Sequence, residues 1–182
     1  MLLKGLPPIV GDTPTILILG SMPSVASLEK QQYYGHPRNA FWRLMAQLNG
    51  FEYQDDYARN VAEVSQRGIA IWDVIGECER PGSLDSAIVK GSERLNPIPA
   101  LLEQYPDIQR IGLNGGTAAR LFKHHCLPVL QSEKYKIFNL PSTSPANAGQ
   151  SFEQKCQQWQ SLIIPLQKSR NTTFNSPAST SS

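Results

Sequence analysis

Four apolar runs of strand length, each ending at a turn and followed by a helical pattern, constrain this chain more than any other feature. They are Thr15–Leu19, Ile69–Val74, Ile108–Leu113 and Lys136–Leu140. The first leads into Gly20-Ser21-Met22-Pro23 and the last into PSTSPANAG. Continuous apolar runs without strict alternation predict strands covered on both faces. Between them lie helical patterns over Ala40–Leu48, Asp55–Gln66, Ile98–Tyr105, Gly116–His125 and Phe152–Leu166. In Ala40–Leu48 the residues Phe41, Leu44, Met45 and Leu48 form one stripe, which Asn49-Gly50 ends. Alternating strands and helices predict an α/β domain of three layers, αβα, around a central, four-stranded, mainly parallel sheet. In such sheets the functional site lies beyond the C-terminal strand ends. The loops after the first, second and fourth runs are therefore the places to look for chemistry.

Composition narrows the class without choosing a partner. The chain has 182 residues, 40% hydrophobic and 18% charged, which suits one globular domain. A net charge of +2 neither supports nor excludes nucleic acid. The three cysteines, Cys78, Cys126 and Cys156, are widely spaced and form no CxxC or Cys…His pairing. They read as free thiols, so no disulfide, metal or cofactor is expected. The opening MLLKGLPPIVGD lacks a signal-peptide core, and no apolar run reaches membrane-spanning length. A cytoplasmic location is expected. From Ser169 the chain turns polar and low in complexity (SRNTTFNSPASTSS), which predicts a folded domain over 1–168 and a disordered tail over 169–182.

Two loops carry the groups that could do chemistry. Gly20–Trp42 is long for a strand-to-helix connection and rich in side chains able to handle a nucleobase: Tyr33, Tyr34, His36, Arg38, Asn39, Phe41 and Trp42. Leu140–Gly149 (LPSTSPANAG) is stiffened by two prolines and otherwise small and polar. Its serines and backbone N–H groups suit phosphate contacts, and a stiff loop of small residues can press into a groove.

Together GSMPS, YYGHPRNAFW, WDV and LPSTSPANA resemble the uracil-DNA glycosylase superfamily, and most of all its hypoxanthine-DNA (deoxyinosine) glycosylase branch. The resemblance covers roughly Thr15 to Trp159. The mismatch-specific uracil glycosylases are similar too: their GINPG and HPANRFW stretches align with Gly20–Ser24 and His36–Trp42 without a gap. Two departures stand out. Met22 occupies the place where other branches carry an Asn or Asp that positions water, and Leu140 stands where many have a His.

The resemblance implies a uracil-DNA glycosylase-like fold and a monofunctional glycosylase. Its partner would be DNA containing a deaminated base, which it would engage as a monomer, nucleoid-associated when bound. It implies Asn39 as the catalytic residue, orienting a water, and Tyr34 as the aromatic that stacks on the flipped base. Asp73 would read the base edge, beside Ser21, Met22 and Pro23. From the chemistry of their segments rather than from the resemblance, Ser142, Thr143, Ser144, Pro145, Ala146 and Asn147 on the stiff loop and Asn114 at a helix start are expected to contact DNA. An ionised Asp accepts from an imino N–H and cannot donate. Hypoxanthine offers N1–H and adenine does not, but uracil offers an imino N–H as well, so Asp73 alone does not separate hypoxanthine from uracil. No lysine is placed in either loop as a Schiff-base nucleophile, so no strand-nicking step is expected.

Each assignment has a plainer alternative. Asn39 also suits a helix cap. Asp73 could pair with Arg80, and His36 could bond only backbone. Phe41 and Trp42 fall at core positions. Asn114-Gly115-Gly116 is either a phosphate-holding helix start or a plain turn, and His124-His125 reads as a helix end. Three other functions are open: a nucleoside hydrolase on small substrates, a uracil or G·T mismatch glycosylase, and a DNA sensor that has lost catalysis. Met22 and Leu140 are what such a sensor would show.

Overall fold

The computed structural model describes residues 1–171. In chain order the elements are β1 (Leu2–Lys4), β2 (Ile16–Gly20), α1 (Val25–Lys30), α2 (Phe41–Asn49), α3 (Tyr57–Gln66), β3 (Ile69–Asp73), β4 (Ile75–Glu79), β5 (Arg94–Leu95), α4 (Ile98–Gln104), β6 (Arg110–Asn114), α5 (Gly116–Leu121), β7 (Lys136–Leu140) and α6 (Phe152–Asn171).

The four apolar runs form one sheet, ordered β3-β2-β6-β7, and every pairing in it is parallel. All five residues of β2 and all five of β3 are buried, as strands covered on both faces must be. The helices flank this sheet in the expected three-layer arrangement, with α2 packed on α6. Register matters most for function. Gly20 pairs with Asp73 and Asn114 with Leu140, while Leu19 lies opposite Leu113. The four strands thus end together, and their loops emerge at one end of the sheet.

Gly112, in the middle of β6, shows how tightly α6 sits on the sheet. A Cβ there would lie 2.6 Å from Leu162 Cδ2 and 3.1 Å from Leu140 Cδ1. Gly112→Ala is therefore expected to cost about 1–3 kcal/mol by overpacking, read as a lower urea midpoint with an unchanged slope.

The structure departs from the expectation in four places. A second, antiparallel sheet, β1-β4-β5, joins the N-terminus to the segment after β3. Its strands are two to five residues long, and β4 (IGECE) buries only Ile75 and Cys78, so no periodic signal marks them. The long loop after β2 contains a short helix, α1, capped by Ser24, whose hydroxyl accepts from the Ser27 N–H. The helix expected over Gly116–His125 is α-helical only to Leu121, after which Phe122–Cys126 widens into a π turn. Finally, α6 continues to Asn171, past the expected domain limit at 168; residues 172–182, with the rest of the expected tail, lie outside the described residues. No helix among the described residues is long and apolar enough to cross a membrane.

Candidate active site

A cavity of about 380 Å³ opens at the C-terminal end of the parallel sheet. Three expected segments wall it. Ser21, Met22 and Pro23 come from the loop after β2, Tyr34 and Asn39 from the stretch before α2, and Ser142, Thr143, Ser144, Ala146 and Asn147 from the loop after β7. Asp73 and Asn114, at the ends of β3 and β6, complete this part of the wall. Pro145 alone of the expected site residues is not part of it.

Asp73 is 4% exposed, and its Oδ2 has no hydrogen-bond partner. Burial, reinforced by the nearby Asp85 charge and opposed by Arg80, pushes its carboxyl up to about 7. The alternative pairing with Arg80 does not form. Arg80 instead donates from Nε to the Gly82 carbonyl and from Nη2 to the Pro23 carbonyl, both at 2.7 Å. Those two bonds hold backbone, so Asp73 is left without an ion pair.

Tyr34 stands beside Asp73. Its backbone is left-handed (φ 54°), an uncommon state for a residue with a Cβ. One ring face stacks on Phe41, with centroids 3.9 Å apart, so a base could stack only on the other face. Its hydroxyl is buried without a partner, and burial, then the Asp73 charge, raises its pKa. Gly20 is what allows the two side chains to meet there. A Cβ on it would lie 2.5 Å from Asp73 Oδ1 and 3.1 Å from the Tyr34 hydroxyl.

Asn39 is fixed by its neighbours. Its Oδ1 accepts from the Phe41 N–H at 3.0 Å, at the start of α2, where Ala40 supplies no side-chain cap. The cap-like role therefore exists, and it leaves the Asn39 Nδ2 donors uncommitted. The Ala40 N–H donates to the Thr143 carbonyl at 3.0 Å, which ties the two loops together. His36 follows its plainer reading: its Nδ1 accepts from the Arg38 N–H, and it lies off the cavity wall. Phe41 and Trp42 are core residues, at 0% and 7% exposure.

Asn114 and Thr143 line the cavity and are bonded to each other. Both were expected to contact DNA, yet they are 8% and 1% exposed and their polar groups bond each other. Asn114 Oδ1 accepts from the Thr143 N–H at 3.0 Å, and its Nδ2 donates to Thr143 Oγ1 at 3.1 Å. The pair is a clamp that holds the loop after β7 on the end of β6. Gly115, at φ 96° against Ser142, makes the adjoining segment a tight turn. Within the loop, Asn147 Nδ2 donates to the Ser142 carbonyl and Ser144 Oγ accepts from the Ala146 N–H, so it is braced from inside.

A fourth wall was not foreseen. Ser83, Leu84, Asp85 and Ser86, from the loop after β4, close the side of the cavity. Only the Pro81-Gly82 turn marks this loop in sequence. With β4 unrecognised, nothing placed it beside Ser21.

The model for the uracil DNA glycosylase superfamily matches residues 7–163. The chain belongs to the uracil DNA glycosylase superfamily. A hypoxanthine DNA glycosylase of Methanosarcina acetivorans is 38% identical over 148 residues, covering 81% of this chain and 89% of the relative. A hypoxanthine DNA glycosylase of Methanosarcina barkeri is 33% identical, covering 79% and 87%. A solution NMR structure of a candidate uracil DNA glycosylase from Methanosarcina acetivorans superposes with a TM-score of 0.77 at 34% identity, covering 92% of this chain and 99% of that one.

As a uracil DNA glycosylase superfamily site, the cavity has a definite division of labour. Its deep end, where Asp73 and Tyr34 meet Gly20, is polar and sealed. Its outer walls are loops braced against one another. Neither Met22 nor Leu140, buried at 8% and 6%, offers a polar group to a water.

Proposed function

We propose that this protein is a monofunctional DNA glycosylase that flips a deaminated base into the cavity and hydrolyses its N-glycosidic bond, with hypoxanthine as the preferred base. The observation that carries this reading is the buried, unpartnered Asp73 carboxyl at the end of the cavity built by the two superfamily loops. A buried acceptor without a partner is costly unless a ligand completes it. The N1–H of hypoxanthine does so, and adenine presents an acceptor there instead. Two relatives named hypoxanthine DNA glycosylase support the choice of base.

In this reading a base leaves the stack at a cost of a few kcal/mol, least for a mispaired one. The free face of Tyr34 packs against it and Asp73 accepts from its imino N–H. Asn39 holds the attacking water at C1′. An amide is a poor base, so catalysis rests on positioning and on electrostatics. Among the described residues no lysine lines the cavity, so this reading has no Schiff base and its product is an intact abasic strand. Ser142, Ser144 and Asn147 face the incoming strand. The protein works as a monomer on nucleoid DNA in the cytoplasm.

The test is an end-labelled duplex carrying deoxyinosine, deoxyuridine or a G·T mismatch, each treated with and without alkali. Strand breaks at deoxyinosine that need alkali are expected. Breaks mainly at deoxyuridine would keep the glycosylase and change the base, the second reading that the uracil-named structural relative favours. Binding without release of any base would make the protein a sensor.

A further inference from the structure

We propose that Asp85 faces the sugar of the flipped nucleotide and stabilises the positive charge that develops at C1′ as the glycosidic bond breaks. This rests on the glycosylase reading above.

The chemistry demands such a group. The C1′–N9 bond breaks and its electron pair leaves on the base, so the sugar becomes oxocarbenium-like. Water then adds to C1′, and the proton it releases balances the base that left as an anion. A fixed negative charge beside the sugar lowers this barrier most, because it acts only as positive charge appears. Met22, on the loop after β2, is apolar and cannot supply that charge. Asn39 is neutral, and its Oδ1 already accepts from the Phe41 N–H. Among the described residues the cavity wall holds two carboxylates, Asp73 and Asp85, and no lysine or arginine.

Depth assigns them different partners. Asp73 lies at the strand ends, sealed, where only the edge of a base can arrive. Asp85 lies on an exposed loop, next to Leu84, which is 56% exposed at the mouth. A nucleotide entering base first therefore brings its sugar to the level of Asp85.

The loop is built to hold that carboxylate still. The Ser21 hydroxyl donates to Asp85 Oδ1 at 2.8 Å. The Val25 N–H donates to Ser83 Oγ at 2.9 Å. Arg80, 5% exposed, bonds the carbonyls of Gly82 and Pro23 and so joins the same two loops from beneath. Three separate ties fix this loop to the one after β2. Burial first, and then the Asp85 charge, raises the Asp73 carboxyl, and both carboxyls line the same cavity. A carboxylate fixed at the rim of a DNA site repels phosphates, so its gain has to come in the transition state.

The experiment compares Asp85→Asn, Ser21→Ala and the parent in two assays. The first is single-turnover release of base from a deoxyinosine duplex, or from a deoxyuridine duplex should that be the better substrate. The second is affinity for two duplexes carrying abasic analogues: a neutral tetrahydrofuran and a cationic pyrrolidine that mimics the charged sugar. Asp85→Asn is isosteric and can still accept from Ser21. It is expected to slow base release about 100-fold. It should also lose the parent's preference for pyrrolidine over tetrahydrofuran while binding tetrahydrofuran as before, which a purely structural role would not produce. Ser21→Ala keeps the charge but frees it, and should fall between the two. An Asp85→Asn rate within about threefold of the parent, or an unchanged pyrrolidine preference, overturns the proposal. Failure of the glycosylase reading looks different: the parent itself releases no base.

Discussion

Asp73→Asn is expected to stabilise the protein above neutral pH while removing most of its activity. In the unfolded chain the Asp73 carboxyl ionises near its ordinary 3.8, and in the folded protein burial holds it near 7. Between these values the folded state keeps a proton that the unfolded state has lost. Stability therefore falls as pH rises through that window and levels off above about 7. The full penalty is about 4 kcal/mol. Asparagine has the same shape and no such dependence, although its Nδ2 inherits the missing partner at about 1–3 kcal/mol. The net gain at pH 8 is about 2 kcal/mol, or about 5 °C in Tm for a chain of this size. At pH 4.5 that gain should vanish or change sign. A melting difference that is the same at both pH values would refute the burial argument.

The same substitution should lower hypoxanthine release at least about 1000-fold, because a site built around one acceptor discriminates strongly when that acceptor is lost. In the parent, release should rise with pH through about 7, as Asp73 becomes an acceptor only, and then flatten. In Asp73→Asn that rise should disappear. Stability and function thus pull in opposite directions at one atom, Oδ2, left unpartnered in the folded protein and available to a substrate.

What could be read from the sequence follows from how local each signal is. The runs that became β2 and β3 are continuous and wholly buried, so their type and their parallel arrangement are visible in ten residues. Asp73 sits near the end of the second run, and its role there comes from the resemblance, not from the run itself. β4 and β5 are held by pairing across the chain, Ile75 with Leu95 and Leu3 with Cys78, and leave no periodic trace. Asp85 was lost with them, since its importance depends on Ser21, 64 residues away. Asn114 shows a different limit. Its position at a strand end was legible, but whether its amide faces DNA or Thr143 depends on a contact that only the folded loop creates.

Asn39 is where the two kinds of signal meet, and Asn39→Ala should separate them. The Asn39 Oδ1 bond to the Phe41 N–H is a cap-like interaction. Its loss is expected to cost about 1 kcal/mol of stability. Holding a water in line with C1′ is a separate task for the same amide, and losing it should cost about 1000-fold in single-turnover base release. The two effects can be uncoupled with Asn39→Ser. A serine at this position can still accept from the helix start but has a shorter reach and no amide donors. Asn39→Ser should therefore regain stability in a urea titration without regaining rate. If rate returned with stability, Asn39 would be only a brace for α2, and the water would have to be held elsewhere on the wall.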